Sequence, residues 1–231
     1  MNRKKQSIFL AAAAFAFLLS TLLSMVYLRM AEETLSSHIA PQVLRFHVLA
    51  NSDSHGDQML KLDVKQMLID TIQKGLEEEL PNSRKSSNSY SKEMMRNYIT
   101  IHGDELEKKA ESYMAARGFN YPASIRLEKC YFPTKTYGDV IFPCGTYDSI
   151  RVLLGHGTGK NWWCVLYPPL CFTDNAIAEV PTASKEKLKY LLSDDDYDAL
   201  MKKRRVIFGE LKTSPKDNTA ITVQIRLKFL K

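Results

Sequence analysis

The stretch from Asn161 to Phe172 reads NWWCVLYPPLCF and decides how the surrounding chain can fold. It holds both tryptophans of the protein and two of its four cysteines. Residues 162–167 are mostly aromatic or aliphatic, which predicts a strand in a core. Pro168 and Pro169 have no amide hydrogen to donate, so we expect the strand to end there and the chain to turn.

Alternation along this strand separates the two tryptophans. Neighbouring strand residues point to opposite faces, so Trp162 and Cys164 share one face while Trp163 and Tyr167 share the other. We expect Trp162 to be structural. The face of Trp163 carries two amphipathic aromatics, a residue type enriched in interface hot spots, and is predicted to bind a partner. The alternative is that both tryptophans lie in the core.

The glycine-rich segment GHGTGK occupies residues 155–160, directly before the tryptophans. A P-loop needs a glycine where this chain has Leu154, and Ser or Thr where it has Asn161, so the segment departs from that motif twice. We predict a hairpin turn instead. Its structural glycines are Gly155, Gly157 and Gly159.

Residues 131–147 read YFPTKTYGDVIFPCGTY, in which aromatic and aliphatic runs flank a polar centre. This pattern predicts a hairpin that turns at residues 136–138, beside Tyr137 and Asp139. In that register Cys130 lies opposite Cys144, near the separation that a disulfide needs.

The other two cysteines, Cys164 and Cys171, flank the Pro-Pro turn and could close that loop as a disulfide. The alternative is four buried free thiols, because cysteine often serves as a small hydrophobe. The chain has no CxxC pair, so the sequence does not predict a zinc site.

Residues 45–54 read RFHVLANSDS and are followed by an Asp-Gln pair. The block mixes imidazoles and carboxylates, as metal hydrolases do, in His47, Asn51, Asp53, His55 and Asp57. It lacks a recognised ligand spacing such as HExxH. A turn with helix capping explains it better, because such side chains bond their own backbone. We therefore predict no catalytic residue, no metal and no cofactor.

Periodicity along the rest of the chain predicts an α+β protein. Two long helices are expected over 57–80 and 91–117, and two short ones over 184–192 and 194–205. Strands are expected over 43–50, 124–132, 139–143, 148–154 and 162–167, with a last hairpin over 206–212 and 219–229. We expect one antiparallel sheet packed against the two long helices.

The N-terminus predicts export. Residues 8–28 carry no charge and follow Arg3, Lys4 and Lys5. A helix of this length spans a bilayer core of roughly 30 Å, and its basic flank stays in the cytoplasm. The run is longer than the apolar part of a usual signal peptide and no small-x-small cleavage site follows, which favours an anchor over a cleaved leader. The expected division is a signal sequence or membrane anchor over 1–30, a stalk over 31–42 and a single exported domain over 43–231.

Composition narrows the function classes. The 231 residues are 45% hydrophobic and 25% charged, as in an ordinary globular protein. The formal net charge is +6, and the three basic residues of the N-terminal flank supply half of it. The remaining charge is only mildly basic, so nucleic acid is not a predicted partner.

The blocks RFHVLANSDS, YFPTKTYGDVIFPCGTY and GHGTGKNWWCVLYPPL, in this order behind an apolar segment, resemble stage II sporulation protein R of endospore-forming bacteria. The resemblance covers roughly residues 44–174. It implies an exported signalling protein made in the forespore. Such a protein acts across the intermembrane space on a membrane-embedded aspartic protease, which then matures a sigma factor precursor in the mother cell.

Two functions from different classes follow. In the favoured one, the chain binds the protease, and the candidate partner-binding residues are Trp163, Tyr167, His47, Asn51, Asp53, Tyr137 and Asp139. The alternative is an exported metal-dependent hydrolase or cell-wall-binding module that uses the cluster from His47 to Asp57 and the tryptophan face. A stoichiometric bound metal would favour the hydrolase.

The topology has a direct test. A reporter enzyme fused after Lys231 should be active when it is of the kind that works only outside the cytoplasm, because the basic flank precedes the uncharged span. A reporter that works only in the cytoplasm, fused at the same residue, is the control. Activity of the cytoplasmic reporter would overturn export.

Overall fold

The computed structural model describes residues 3–79, 90–171 and 180–201. Its helices are α1 (Arg3–Ile39), α2 (His55–Glu79), α3 (Lys92–Ala115), α4 (Thr182–Leu191) and α5 (Asp194–Met201), with a 3-10 turn over Ala40–Gln42. Its strands are β1 (Leu44–Leu49), β2 (Ala123–Phe132), β3 (Lys135–Tyr137), β4 (Val140–Phe142), β5 (Gly145–Leu154) and β6 (Asn161–Tyr167). The hairpin predicted over 206–229 lies outside the described residues.

The main sheet has four strands in the order β2-β5-β1-β6, and β3 pairs with β4 in a separate hairpin. The predicted α+β class is confirmed. The sheet is mixed, however: β2–β5 and β1–β6 are antiparallel, whereas β1–β5 is parallel. Parallel neighbours need a long crossover, which α2, α3 and β2 supply between β1 and β5.

One face of the sheet packs against α2 and α3 and forms the first core. Strand β1 contributes Leu44, Phe46 and Val48, which alternate along the strand as predicted. The two helices bury apolar stripes at helical spacing, namely Leu60, Val64, Leu68, Ile72 and Leu76 of α2 and Met95, Ile99, Leu106 and Ala110 of α3. Each buried aliphatic side chain contributes roughly 1.5–3 kcal/mol.

The edge strand β2 is shielded by carboxylates from α3. Glu111 accepts a hydrogen bond from the amide of Ala123 at 3.1 Å, and Glu107 accepts one from Ile125 at 2.6 Å. These bonds satisfy backbone donors that would otherwise invite another strand to pair.

The other face of the sheet is covered by a second core. The end of α1, the β3–β4 hairpin, α4 and α5 cover this face. The buried residues of the second core are Ile39, Val43, Phe132, Val140, Phe142, Tyr147, Val165, Leu170, Val180, Leu188 and Leu200. The sheet is therefore the middle layer of three.

Helix α1 is 37 residues long and continues from the apolar span into the domain. Among the described residues it is the one helix long and apolar enough, by length and composition, to cross a membrane. This is consistent with a membrane anchor or a signal sequence.

The segment 31–42, predicted as a stalk, differs from that expectation. It comprises the last turns of α1 and the 3-10 turn, and it packs on the domain, with Ile39 fully buried and Ser36 nearly so. Arg29 donates to the Tyr131 hydroxyl at 3.1 Å, and Glu32 accepts from the Thr134 hydroxyl at 2.5 Å. The description of 43–231 as a single domain stays a prediction.

The contact between α1 and β5 generates a testable prediction. A methyl group on Gly145 would overlap the Ser36 side chain. Gly145→Ala should therefore destabilise the protein by about 1–3 kcal/mol, the usual cost of overpacking, as measured by chemical unfolding.

Gly103 in α3 offers the matched control, because a methyl group there meets nothing within 4 Å. Gly103→Ala should be neutral or stabilise the helix by up to about 1 kcal/mol. Equal stabilities of the two variants would contradict the α1–β5 packing.

Candidate functional site

Four strands place one side chain each in a row across the sheet face that carries the second core. His47 of β1 pairs with Arg151 of β5 on one side and with Trp163 of β6 on the other, and Arg151 pairs with Arg126 of β2. Directly paired residues share a face of the sheet. We call Arg126, Arg151, His47 and Trp163 the cross-strand row.

At one end of the row, an imidazole and an indole are stacked. The rings of His47 and Trp163 lie 3.7 Å apart with 13° between their planes, and the Phe132 ring contacts Trp163 edge-on at 4.8 Å. Trp163 is half-buried, whereas His47 is 5% exposed. The stack therefore leaves part of the indole at the surface.

Burial lowers the pKa of His47 to about 4, and the hydrogen bond with Asn161 opposes that shift only partly. The imidazole is neutral at physiological pH. Its Nε2 lies 2.9 Å from Asn161 Oδ1, which accepts the proton carried there. Nδ1 is then a bare acceptor, and no described residue bonds to it.

At the other end of the row, two guanidinium groups face each other across β2 and β5. Arg151 donates from Nη1 to Glu128 Oε1 at 3.1 Å, while its Nε has no partner among the described residues. Arg126 is exposed. Both arginines line an open cleft of about 180 Å³, together with Pro122, Ala123, Ser124, Leu153 and Gly155.

A fully buried cation lies beside the row, beneath the β3–β4 hairpin. Arg45 is fully buried and donates to Cys164 O at 2.9 Å and to the Tyr137 hydroxyl at 3.1 Å. Its guanidinium carbon lies 4.3 Å from the Phe132 ring centre and 4.9 Å from that of Tyr147. Aromatic faces thus stabilise this charge.

Sequence reasoning missed Arg45, because alternation assigned it to the polar side of β1. The detectable pattern was an arginine inside an otherwise apolar strand of a chain that also carries the aromatic-rich segment 131–147.

Tyr137 and Asp139, predicted to bind a partner, are used inside the molecule. The Tyr137 hydroxyl donates to Trp163 O at 3.0 Å. Asp139 pairs with Lys185 at 2.6 Å and accepts from the amide of Val180 at 3.0 Å. These contacts fasten the β3–β4 hairpin to β6 and to the start of α4, so neither residue belongs to a free binding surface.

The predicted partner-binding position of Tyr167 is also wrong. It is 4% exposed and lies in the first core, on the opposite face from Trp163. The β1–β6 register shifts between Leu44 and Arg45, which leaves Leu166 as an extra residue and reverses the alternation after it.

The two tryptophans do lie on opposite faces, as alternation predicted. Trp162 is half-buried against the first core, with its ring edge-on to Phe46 at 6.0 Å and Lys65 Nζ 5.0 Å from its centre. The strand ends as expected at Pro168, and the Pro169 carbonyl accepts from the Ser184 hydroxyl at 2.7 Å.

Asn51 and Asp53 join two turns rather than forming an open site. Asn51 Oδ1 accepts from the amide of His156 at 2.9 Å, and Asp53 Oδ1 accepts from that of Lys160 at 2.7 Å. They tie the β1–α2 turn to the β5–β6 turn, which carries the predicted structural glycines.

Two of those glycines explain the close approach. Gly155 has a φ of +58°, and a side chain there would overlap Asn51. A side chain on Gly159 would overlap the Ser52 carbonyl group. Gly157 also has a positive φ, of 62°. The predicted hairpin is wrong, because β1 lies between β5 and β6, so the glycine-rich turn crosses the end of β1 instead of joining two paired strands.

Asp57 is the buried centre of the same turn. Burial alone would raise the pKa of its carboxyl group, but hydrogen bonds from Ser52, Asn51 and Tyr121 outweigh burial and lower it. Within the described ranges, no group of three or more His, Cys, Asp and Glu side chains is placed to hold a metal ion. The hydrolase alternative gains no support from this geometry.

The Cys130–Cys144 disulfide prediction is wrong in its register. Strand β3 pairs with β4 about a turn at residues 138–139, not 136–138, and Cys130 pairs with Tyr147 of β5. The cause is that β2 runs on to Phe132 as a partner of β5, so it is not the first arm of the hairpin. All four cysteines are free thiols in this structure.

Comparisons with known proteins agree with the sequence resemblance. A family model described as stage II sporulation protein R matches residues 40–177, which include all six strands. The curated Stage II sporulation protein R of Bacillus subtilis (strain 168) is 37% identical over 162 residues, which cover 68% of this chain and 68% of that protein. No solved structure matches the chain. The chain belongs to the stage II sporulation protein R family.

Proposed function

We propose that this sporulation protein is an exported, non-enzymatic signal that switches on a membrane-embedded aspartic protease in the intermembrane space. The protease then processes the sigma factor precursor of the mother cell. Family membership supports a role in sporulation signalling. The apolar part of α1 supports passage through, or anchoring in, a membrane.

We further propose that the cross-strand row is the surface that contacts the protease. The observation that carries this proposal is the exposure of the row, in which Arg126 is exposed and Arg151 and Trp163 are half-buried.

The chemistry of the row favours an acidic partner segment. Arg126 and Arg151 lie directly opposite each other, and like charges in that position repel. Glu128 neutralises one of them, through its 3.1 Å contact with Arg151. A carboxylate of the protease between the two arginines would remove the repulsion, while Trp163 supplies the apolar contact typical of hot spots.

The role of the positive charge of Arg126, at the exposed end of the cross-strand row, can be tested by reversing that charge. Arg126→Glu should lower processing of the sigma factor precursor in sporulating cells about tenfold or more, equivalent to about 1.4 kcal/mol of binding. Because Arg126 is exposed, the thermal unfolding midpoint should stay unchanged.

Lys108→Glu is the matched control, because Lys108 is an exposed residue of α3, in the helical layer on the far side of the sheet. It changes the net charge by the same amount. Equal processing by the two variants would place the protease contact elsewhere on the molecule.

The neutral state of His47 predicts how stability depends on pH. Its folded pKa of about 4 lies below the ordinary value of 6.5, so the unfolded chain binds more protons between these values. The stability from this residue is present above pH 6.5 and is lost as the pH falls toward 4, by on the order of 2–3 kcal/mol.

His47→Gln keeps a neutral side chain at every pH and should abolish that part of the loss. The measurement is the difference in unfolding free energy between wild type and variant at pH 7 and at pH 4.5. A difference that does not change with pH would show that His47 is not held neutral.

A further inference from the structure

Two of the four thiols, those of Cys164 and Cys171, lie side by side in the first core. Cys164 is in the middle of β6, and Cys171 follows the Pro-Pro turn. The sulfur atoms of both residues lie near the carbonyl oxygen of Val165, at 3.7 and 3.0 Å, and the two thiol groups are within hydrogen-bonding reach of each other. They are 2% and 5% exposed.

The backbone holds the two residues in this arrangement independently of their sulfur atoms. The amide of Leu170 donates to the same Val165 oxygen at 3.1 Å, which closes the turn. The Pro169 carbonyl is fixed by the Ser184 hydroxyl at 2.7 Å. The closeness of the thiols is therefore a property of the turn.

The remaining cysteines have no such arrangement. Cys130 is half-buried on β2, where its thiol donates to Glu128 at 3.2 Å. Cys144 precedes β5 and lies against the Tyr131 hydroxyl. Only the turn after β6 thus brings two sulfur atoms together within the described part of the chain.

We propose that Cys164 and Cys171 are joined by a disulfide bond in the exported protein. This inference rests on the export that the proposed function includes, because the bond persists in oxidising surroundings. The two thiols lose two protons and two electrons as the S–S bond forms, and an external disulfide takes up both and is reduced to two thiols. The bond closes the loop 164–171 around the Pro-Pro turn.

Burial sets the order of events. It raises the pKa of the Cys171 thiol, and the neighbouring Cys164 thiol raises it further, so the folded chain carries little of the reactive thiolate. Oxidation therefore takes place as the chain folds outside the cytoplasm, before the first core closes. The finished bond is then shielded from reductants by the same packing.

The tryptic map of the full-length protein tests the bond directly. Peptide 161–185 contains both Cys164 and Cys171 and no internal Lys or Arg, whereas Cys130 and Cys144 fall in peptides 130–135 and 136–151. Protein exported by sporulating cells is treated with an alkylating agent under denaturing conditions, without reductant. A parallel strain that carries the reporter fused after Lys231 shows whether the protein is exported.

The proposal expects peptide 161–185 to escape alkylation and to weigh two hydrogen atoms less than its reduced form, with the other two cysteines alkylated. Two alkyl groups on this peptide in exported protein would overturn it. A link between peptides 130–135 and 136–151 in place of this bond would overturn it too. Protein that is not exported would count against the proposed function instead.

A second measurement concerns stability. A short loop closed by a disulfide raises the thermal midpoint of a protein of this size by roughly 5–10 °C, and reduction before refolding should remove that gain. The variant Cys130→Ala/Cys144→Ala should keep the effect of reduction, and Cys164→Ala/Cys171→Ala should lose it. An equal effect of reduction in both variants would overturn the assignment. Should the second variant fail to fold, the peptide map of the wild type decides.

Discussion

Strand β1 is buried on both faces, and the rest of the structure depends on how its alternating residues are accommodated. All six residues of Leu44–Leu49 are buried. The apolar side chains of one face pack against α2 and α3 without burying a polar group. The opposite face includes the guanidinium of Arg45 and the imidazole of His47. A buried charge is tolerated only when its surroundings replace water. For Arg45 these surroundings are two oxygen acceptors and a wall of aromatic rings.

This requirement explains why the aromatic segment around the β3–β4 hairpin is where it is. Phe132, Phe142 and Tyr147 belong to the second core, and each ring faces the Arg45 guanidinium within about 5 Å. Tyr137 accepts from that guanidinium and donates to the neighbouring strand, so the hairpin is fastened to both sides of the cation. The hairpin is a cover for β1, which accounts for the loss of Tyr137 and Asp139 as candidate contact residues.

The sequence predicted those features that depend on local periodicity. The stripes of α2 and α3, the strand character of β1 and β6 and the opposite faces of Trp162 and Trp163 follow from spacings of 3.6 and 2 residues. Alternation predicts which face of the sheet a side chain occupies, but it does not predict which strand is the neighbour. The parallel β1–β5 pair could therefore not be predicted from it. The predicted hairpin was given the wrong first arm, because β2 continues to Phe132 as the partner of β5, and this misplaced Cys130. In the same way, one extra residue at Leu166 moved Tyr167 to the other face.

Of the candidate site, His47 and Trp163 were anticipated, but Arg126 and Arg151 emerged only from the register across strands.

The continuity of α1 has a geometric consequence for a protein that stays in the membrane. Arg29, the first charged residue after the apolar span, already contacts Tyr131 of the domain, and Ile39 is buried within it. Only about 15 Å of helix separates these two residues, and no hinge interrupts it. The domain would then be carried at a constant height and tilt above the lipid headgroups. Its encounter with another membrane protein becomes a search in two dimensions, in which lateral diffusion and rotation about a single axis are the remaining freedoms.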